Sequence, residues 1–260
     1  MPRDLTPPVS VLAGELINAS TGAVLWVQDP AAERPMGSIT KVMTALLVLK
    51  AGDLSRRIRV TKAAVRYVEK DGASSAGLIA GDVLTARQLL EAMLLPSGCD
   101  AAYLLATSYG PGRAAFIAQM NATAAGLGMT QTHFTSFDGM PYPTEHSTYS
   151  TAANLLTLGA AAMKYKVFRE IVAQRRYSLK RTASHHSYLW QQTNLLIGSY
   201  AGALGIKTGD TKAAGNCLLF EASRDGVTLL GVVLHASPTS NPSSAIVAGR
   251  KVLNWGFAGA

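Results

Sequence analysis

The apolar positions of this chain change period twice. From Val9 to Ile17 they alternate or run together, Ser20-Thr21-Gly22 interrupts them, and they resume from Ala23 to Val27, which predicts an antiparallel hairpin. From Ser38 onward the spacing is helical, with Val42, Ala45, Leu46 and Leu49 on one face and Gly52 as a stop. A second helix is predicted to open at Thr85-Ala86-Arg87-Gln88, a capping-box pattern, and to carry Leu89, Leu90, Met93 and Leu94 up to Pro96. Helical stretches are also expected near Asp100 to Ser108, Arg113 to Gly126, Ser150 to Met163 and Val167 to Gln174. After Tyr177 the pattern turns strand-like again, over Leu204 to Thr208, Asn216 to Ala222 and Val227 to His235, with Asp225-Gly226 as a turn. A last helix is predicted from about Ser243 to Trp255.

Strands at both ends with helices between them predict an α/β chain of the α+β type. Its antiparallel sheet, flanked by helices, is completed by segments distant in sequence, and an all-helical domain is inserted in the middle. The expected division is a discontinuous sheet-and-helix domain, 1–60 plus 160–260, a mainly helical domain, 61–159, and an active site in the cleft between them.

Composition narrows the function classes. The chain has 260 residues and 48% hydrophobic content, enough for one large core or two closely packed subdomains. The longest apolar stretch, Met43 to Leu49, contains Thr44 and is followed by Lys50, far short of the ~20 residues that span a bilayer, so the chain is expected to be soluble as written. Met1-Pro2-Arg3-Asp4-Leu5-Thr6-Pro7-Pro8 lacks the charged-then-apolar build of a secretion signal. A net charge of +8 fits an anionic partner or a solvated basic surface. The densest basic groups, Arg56-Arg57 to Arg59 and Arg175-Arg176 to Arg181, form no nucleic-acid module. Cys99 and Cys217 are expected to be free thiols, Cys217 in an apolar strand. His185-His186 has no partner at metal-ligand spacing, and His133, His146 and His235 are scattered, so no metal and no cofactor are expected.

Three short strings carry the candidate chemistry: Ser38-Ile39-Thr40-Lys41, Ser97-Gly98-Cys99 and Lys207-Thr208-Gly209. A serine hydroxyl attacks well only when a neighbour removes its proton. If Ser38 opens a helix, Lys41 projects from the same face three residues on. The amine can then act as base while neutral, a state that burial favours. Taken alone, the pair would equally fit a helix cap and a surface lysine. Ser97, on the connection after Leu94-Leu95-Pro96, can relay a proton between Lys41 and a leaving amine. Lys207 and Thr208 offer a cation and a hydroxyl suited to a carboxylate, and Gly209 permits close backbone approach.

The order matches the S-x-x-K, S-D-N and K-T-G motif set of penicillin-binding proteins and class A β-lactamases. Leu95-Pro96-Ser97-Gly98 followed by Asp100-Ala101-Ala102, and Gly205-Ile206-Lys207-Thr208-Gly209, extend the match, and the chain resembles the serine D-alanyl-D-alanine peptidases, the low-molecular-mass penicillin-binding proteins, over almost all of its length. Cys99, where asparagine is usual, is similar to the Streptomyces DD-transpeptidase type. The resemblance implies a β-lactamase/DD-peptidase-like fold and a Ser38 acyl-enzyme with Lys41 and Ser97 catalytic. It further implies that Cys99, Lys207, Thr208, Gly209 and Asp210 meet the substrate, and that the N–H groups of Ser38 and Asp210 form an oxyanion hole. The implied partners are a peptidoglycan stem peptide ending in D-Ala-D-Ala, an amine acceptor and β-lactam antibiotics. The implied location is extracytoplasmic, with a signal or membrane anchor outside this sequence. Two rivals follow from the same motifs: a serine β-lactamase, disfavoured because no glutamate is followed four residues later by asparagine before the third motif, and a non-catalytic wall-binding protein, against which the intact Ser38, Lys41, Ser97 and Lys207 argue.

Overall fold

A computed structural model describes residues 6–236 and 243–259. Met1 to Leu5, on which part of the reading of the amino terminus rests, lie outside the described residues. The first hairpin forms as β1 (Ala13–Asn18) and β2 (Val24–Gln28), joined where Asn18 Oδ1 accepts from the N–H groups of Ser20 and Thr21. That short polar side chain closes the turn by bonding the backbone just ahead of it. The carboxyl-terminal strands are β7 (Ala203–Thr211), β8 (Gly215–Arg224) and β9 (Val227–Leu234). β1 pairs antiparallel with β9, giving one five-stranded sheet in the order β2-β1-β9-β8-β7. The antiparallel sheet completed by distant segments is therefore present, and β7 lies at its edge.

The alternation of side chains divides the core. From β8 and β9, Leu218, Phe220, Leu229 and Val233 pack with Leu16 against Val252 and Leu253 of α8 (Ser244–Phe257). Glycines bring that helix close: a Cβ on Gly249 would stand 2.8 Å from Leu218, and one on Gly256 2.7 Å from Leu16. Cys217, Leu219, Leu230 and Val232 face the opposite way, into a cluster with α1 (Lys41–Ala51), α3 (Ala86–Leu94), α4 (Cys99–Tyr109) and α6 (Ala152–Met163). Each fully buried Leu or Phe contributes roughly 1.5–3 kcal/mol relative to exposure, so two such layers hold the sheet from both sides.

The remaining helices are α2 (Lys62–Asp71), α5 (Arg113–Gly126) and α7 (Lys166–Val172). α2 was not among the predicted elements, although its signals were present: the Thr61 hydroxyl accepts from the Ala64 N–H, Ala64 and Val68 are buried on one face, and Gly72 ends it at φ 60°. Two short pairs also escaped the pattern, β3 (Arg57–Arg59) with β4 (Val83–Thr85), and β5 (Arg176–Leu179) with β6 (Tyr188–Gln191). Strands of three or four residues are too short for their alternation to stand out. β7 runs three residues beyond the predicted Thr208, which bears directly on the site.

Candidate active site

The helix expected to open at Ser38 begins instead with a 3-10 turn, Gly37–Thr40, and α1 follows from Lys41. Lys41 stays one turn from Ser38 on a common face: its Nζ donates to Ser38 Oγ at 2.7 Å and to the carbonyl of Asp138 at 2.9 Å. The lysine is fully buried, and among the described residues no carboxylate forms an ion pair with it. A buried amine held by a hydroxyl and a carbonyl is placed to exchange a proton with that hydroxyl.

Ser97 occupies the junction between α3 and α4. The capping box at Thr85 and Gln88 fixes the start of α3, and the chain leaves its end through Ser97 at φ 67°, a left-handed conformation uncommon for a residue with a Cβ. Holding it there costs about 1–2 kcal/mol, so the surroundings must impose it. They do so through several bonds. Gly98 N–H donates to Ala92 O at 3.1 Å and Cys99 N–H to Ser74 O at 2.8 Å. Asp100 accepts from the N–H groups of Ala76 and Leu78 and from the Ser75 hydroxyl, tying the loop before β4 to the start of α4. Ser97 is 6% exposed, and its hydroxyl has no hydrogen-bond partner among the described residues.

Cys99 begins α4 and is 1% exposed, as deeply enclosed as Lys41 and Lys207. Burial pushes its thiol up to about 12, against a smaller opposing pull from Lys41, and the Asp138 carboxylate adds to the rise. The side chain therefore sits as a neutral thiol beside Lys41 and Asp138, its Sγ 3.9 Å from the Ser97 carbonyl oxygen. Cys217 is also buried and free, its thiol likewise raised to about 12 by burial.

The third string lies on β7, which pairs with β8 on one side and abuts the 3-10 turn on the other. A Cβ on Gly209 would drive into the carbonyl of Met36, so glycine there is what permits the approach. A Cβ on Gly37 would stand 2.6 Å from the backbone nitrogen of Asp210, which puts the Asp210 N–H one residue from Ser38. Lys207 is fully buried, and its Nζ donates to Thr208 O at 3.1 Å and Thr208 Oγ1 at 3.4 Å. Burial lowers its pKa well below the ordinary lysine value, and the charge of nearby Lys41 lowers it further. The Thr208 hydroxyl lies 2.7 Å from that of Thr193, while the Asp210 side chain points to solvent.

Two further residues complete the cluster. Asp138 is fully buried, with Oδ2 accepting from Tyr67 OH at 2.8 Å and Oδ1 from the Met140 N–H at 3.1 Å. Gly139, at φ 88°, lies against the Gly37 carbonyl. Asp138-Gly139 is a turn signal in the sequence, which carries no sign that the Asp138 carbonyl would hold Lys41. Tyr67, packed against Tyr103 and Phe137, was not anticipated, since its helix was not. Asn194 accepts from the Leu196 N–H at 3.1 Å and so braces the loop before β7. His186 pairs with Asp82 at 2.9 Å, away from this cluster. Among the described residues no group of three His, Cys, Asp or Glu is arranged to hold a metal.

The profile of the D-alanyl-D-alanine carboxypeptidase family matches residues 7–238. The chain is 41% identical over 264 aligned positions to the D-alanyl-D-alanine carboxypeptidase of Streptomyces sp. (strain K15), covering 97% of this chain and 89% of that protein. It is 36% identical to D-alanyl-D-alanine carboxypeptidase DacB2 of Mycobacterium tuberculosis, covering 92% and 79%. The crystal structure of the Streptomyces K15 DD-transpeptidase superposes with a TM-score of 0.91 at 39% identity, over 97% of this chain and 99% of the other.

Proposed function

This chain belongs to the D-alanyl-D-alanine carboxypeptidase family, the serine DD-carboxypeptidases and transpeptidases, and from that premise we propose the role of each residue in its site. Ser38 Oγ attacks the carbonyl of the penultimate D-alanine of a peptidoglycan stem peptide while Lys41 takes its proton. The observation that carries this reading is the 2.7 Å contact between Lys41 Nζ and Ser38 Oγ in a buried site without a carboxylate partner for the lysine. The N–H groups of Ser38 and Asp210 receive the oxyanion, a contribution worth about 10²–10³ in rate per donor in comparable sites. Ser97, whose hydroxyl has no other partner, passes the proton to the leaving amine. Lys207 and Thr208 hold the terminal carboxylate, with Gly209 admitting the substrate backbone. Cys99 acts from behind, packing against Lys41 and Asp138.

D-alanine leaves, and the acyl group passes to water, giving carboxypeptidation, or to an amine acceptor, giving a cross-link. β-Lactams enter the same site and acylate Ser38. The helical segment 61–159 and the sheet-bearing remainder form the two walls of the cleft. The enzyme works on the cell wall outside the cytoplasm; no helix among the described residues is long and apolar enough to cross a membrane. Incubation with diacyl-Lys-D-Ala-D-Ala, with and without an amine, should release D-alanine and yield the hydrolysed and transferred products. Mass spectrometry of a digest after penicillin treatment should place a stable adduct on Ser38. An adduct elsewhere, or rapid turnover to penicilloate, would overturn the assignment.

A further inference from the structure

The roles proposed above give the bound substrate a direction. With the terminal carboxylate at Lys207 and Thr208 and the scissile carbonyl at the Asp210 N–H, the acyl side of the donor runs along the outer edge of β7 toward Thr211 and Ala213. A cavity of about 260 Å³ opens there. Its walls come from Glu33, Arg34 and Pro35 ahead of the Ser38 turn, from Ala213 in the β7–β8 turn, and from His146 and His235. Pro35 precedes Ser38 by three residues and Ala213 follows Asp210 by three, so these walls lie at most about 10 Å from the oxyanion hole.

Arg34 is the unexplained group in this cavity. Its backbone is fixed by two bonds to Ser150, at 2.8 and 3.0 Å. Its Nε is buried with no hydrogen-bond partner, and among the described residues no carboxylate forms an ion pair with the guanidinium, although Glu33 lines the same cavity. Glu145 braces the same wall, accepting from the Ala213 N–H at 3.1 Å. A guanidinium that lines a cavity without an ion-pair partner is suited to an anionic acceptor.

We propose that this cavity is a subsite for the acyl portion of the donor, in which Arg34 binds a carboxylate carried upstream of the scissile carbonyl. The inference rests on the reading of the site given above. It makes upstream negative charge a determinant of which stem peptides acylate Ser38 fastest, while short donors and penicillin end before they reach it.

The test uses three donors ending in Lys-D-Ala-D-Ala: one acetylated at the lysine α-amine, one extended there by a residue with a free carboxylate, and one extended by the corresponding carboxamide. The intact enzyme should be acylated about tenfold faster by the carboxylate than by the carboxamide, the scale of one charge-assisted hydrogen bond. In Arg34→Met that ratio should fall to about one, with penicillin labelling used to count folded sites. If Arg34→Met does not label, Arg34→Lys replaces it and should show a reduced ratio. Equal rates for carboxylate and carboxamide in the intact enzyme, or a full preference surviving in the variant, overturn the proposal. Failure of all three donors, the acetylated one included, would instead overturn the DD-peptidase roles assigned to the site.

Discussion

Replacing Gly37 by alanine should disable acylation without dismantling the fold. A Cβ at this position would lie 2.6 Å from the Asp210 nitrogen and 3.1 Å from its carbonyl carbon and oxygen. Restoring an ordinary contact of 3.4 Å requires the 3-10 turn and β7 to separate by about 0.8 Å, and β7 is held on its other side by eight registered residues of β8. The turn would therefore move, carrying the Ser38 N–H away from its partner donor. A misplacement near 1 Å can cost about 10²-fold, and losing one oxyanion donor about 10²–10³-fold, so the acylation rate constant with a fluorescent penicillin should fall about 10²-fold. Stability should fall less, since alanine at φ 53° costs about 1–2 kcal/mol, a few degrees in melting temperature. Gly37→Asn separates the two effects: asparagine tolerates the left-handed region but brings the same Cβ, so it should melt later than the alanine variant and acylate as slowly. Acylation by Gly37→Ala within threefold of the parent enzyme would refute the oxyanion geometry.

Lys207→Ala should slow acylation by peptide and by penicillin alike, each about tenfold or more, because both present a carboxylate to the same cation; a normal rate in stopped-flow labelling would place that carboxylate elsewhere. The Cys99 thiol, 1% exposed and raised to about 12, should resist a bulky thiol reagent at neutral pH in the native protein and react after denaturation, while Cys99→Ala retains penicillin labelling. Rapid modification of the native thiol would contradict its burial. Glu91, 1% exposed and accepting from Gln174 at 3.0 Å, is raised to about 7 mainly by burial, with Gln174 opposing. Because the folded state binds this proton more tightly than the unfolded one, its contribution is complete below the ordinary glutamate value of 4.5 and is lost as pH rises through about 7. Glu91→Gln should therefore raise the unfolding free energy at pH 8 relative to the parent by on the order of 3 kcal/mol, read as a higher melting temperature, and change little at pH 4; equal shifts at both values would reject the linkage.

The membership of the cluster was legible in the chain because its signals are local. Ser38 and Lys41 are three residues apart, and a helical turn fixes their relation whatever surrounds them. The Thr85–Gln88 cap and the Asp225-Gly226 turn are likewise settled by neighbours in sequence, and the sheet was foreseen because long strands alternate visibly. Tertiary structure decided what depends on contact between distant segments. Asp138 reaches Lys41 through a backbone carbonyl, a group every residue has, so no side-chain pattern could announce it. Ser97 takes a left-handed conformation because Ala92, Ser74 and Asp100 bond around its turn, where serine's own preference is for ordinary φ. Cys99 read as a cleft residue from its place in a motif, yet burial depends on what packs over a residue, and α4 turns its thiol inward toward Lys41 and Asp138. The short β3–β4 and β5–β6 pairs follow the same rule, since three or four residues hold a strand conformation only when a partner supplies the other half of the hydrogen bonds.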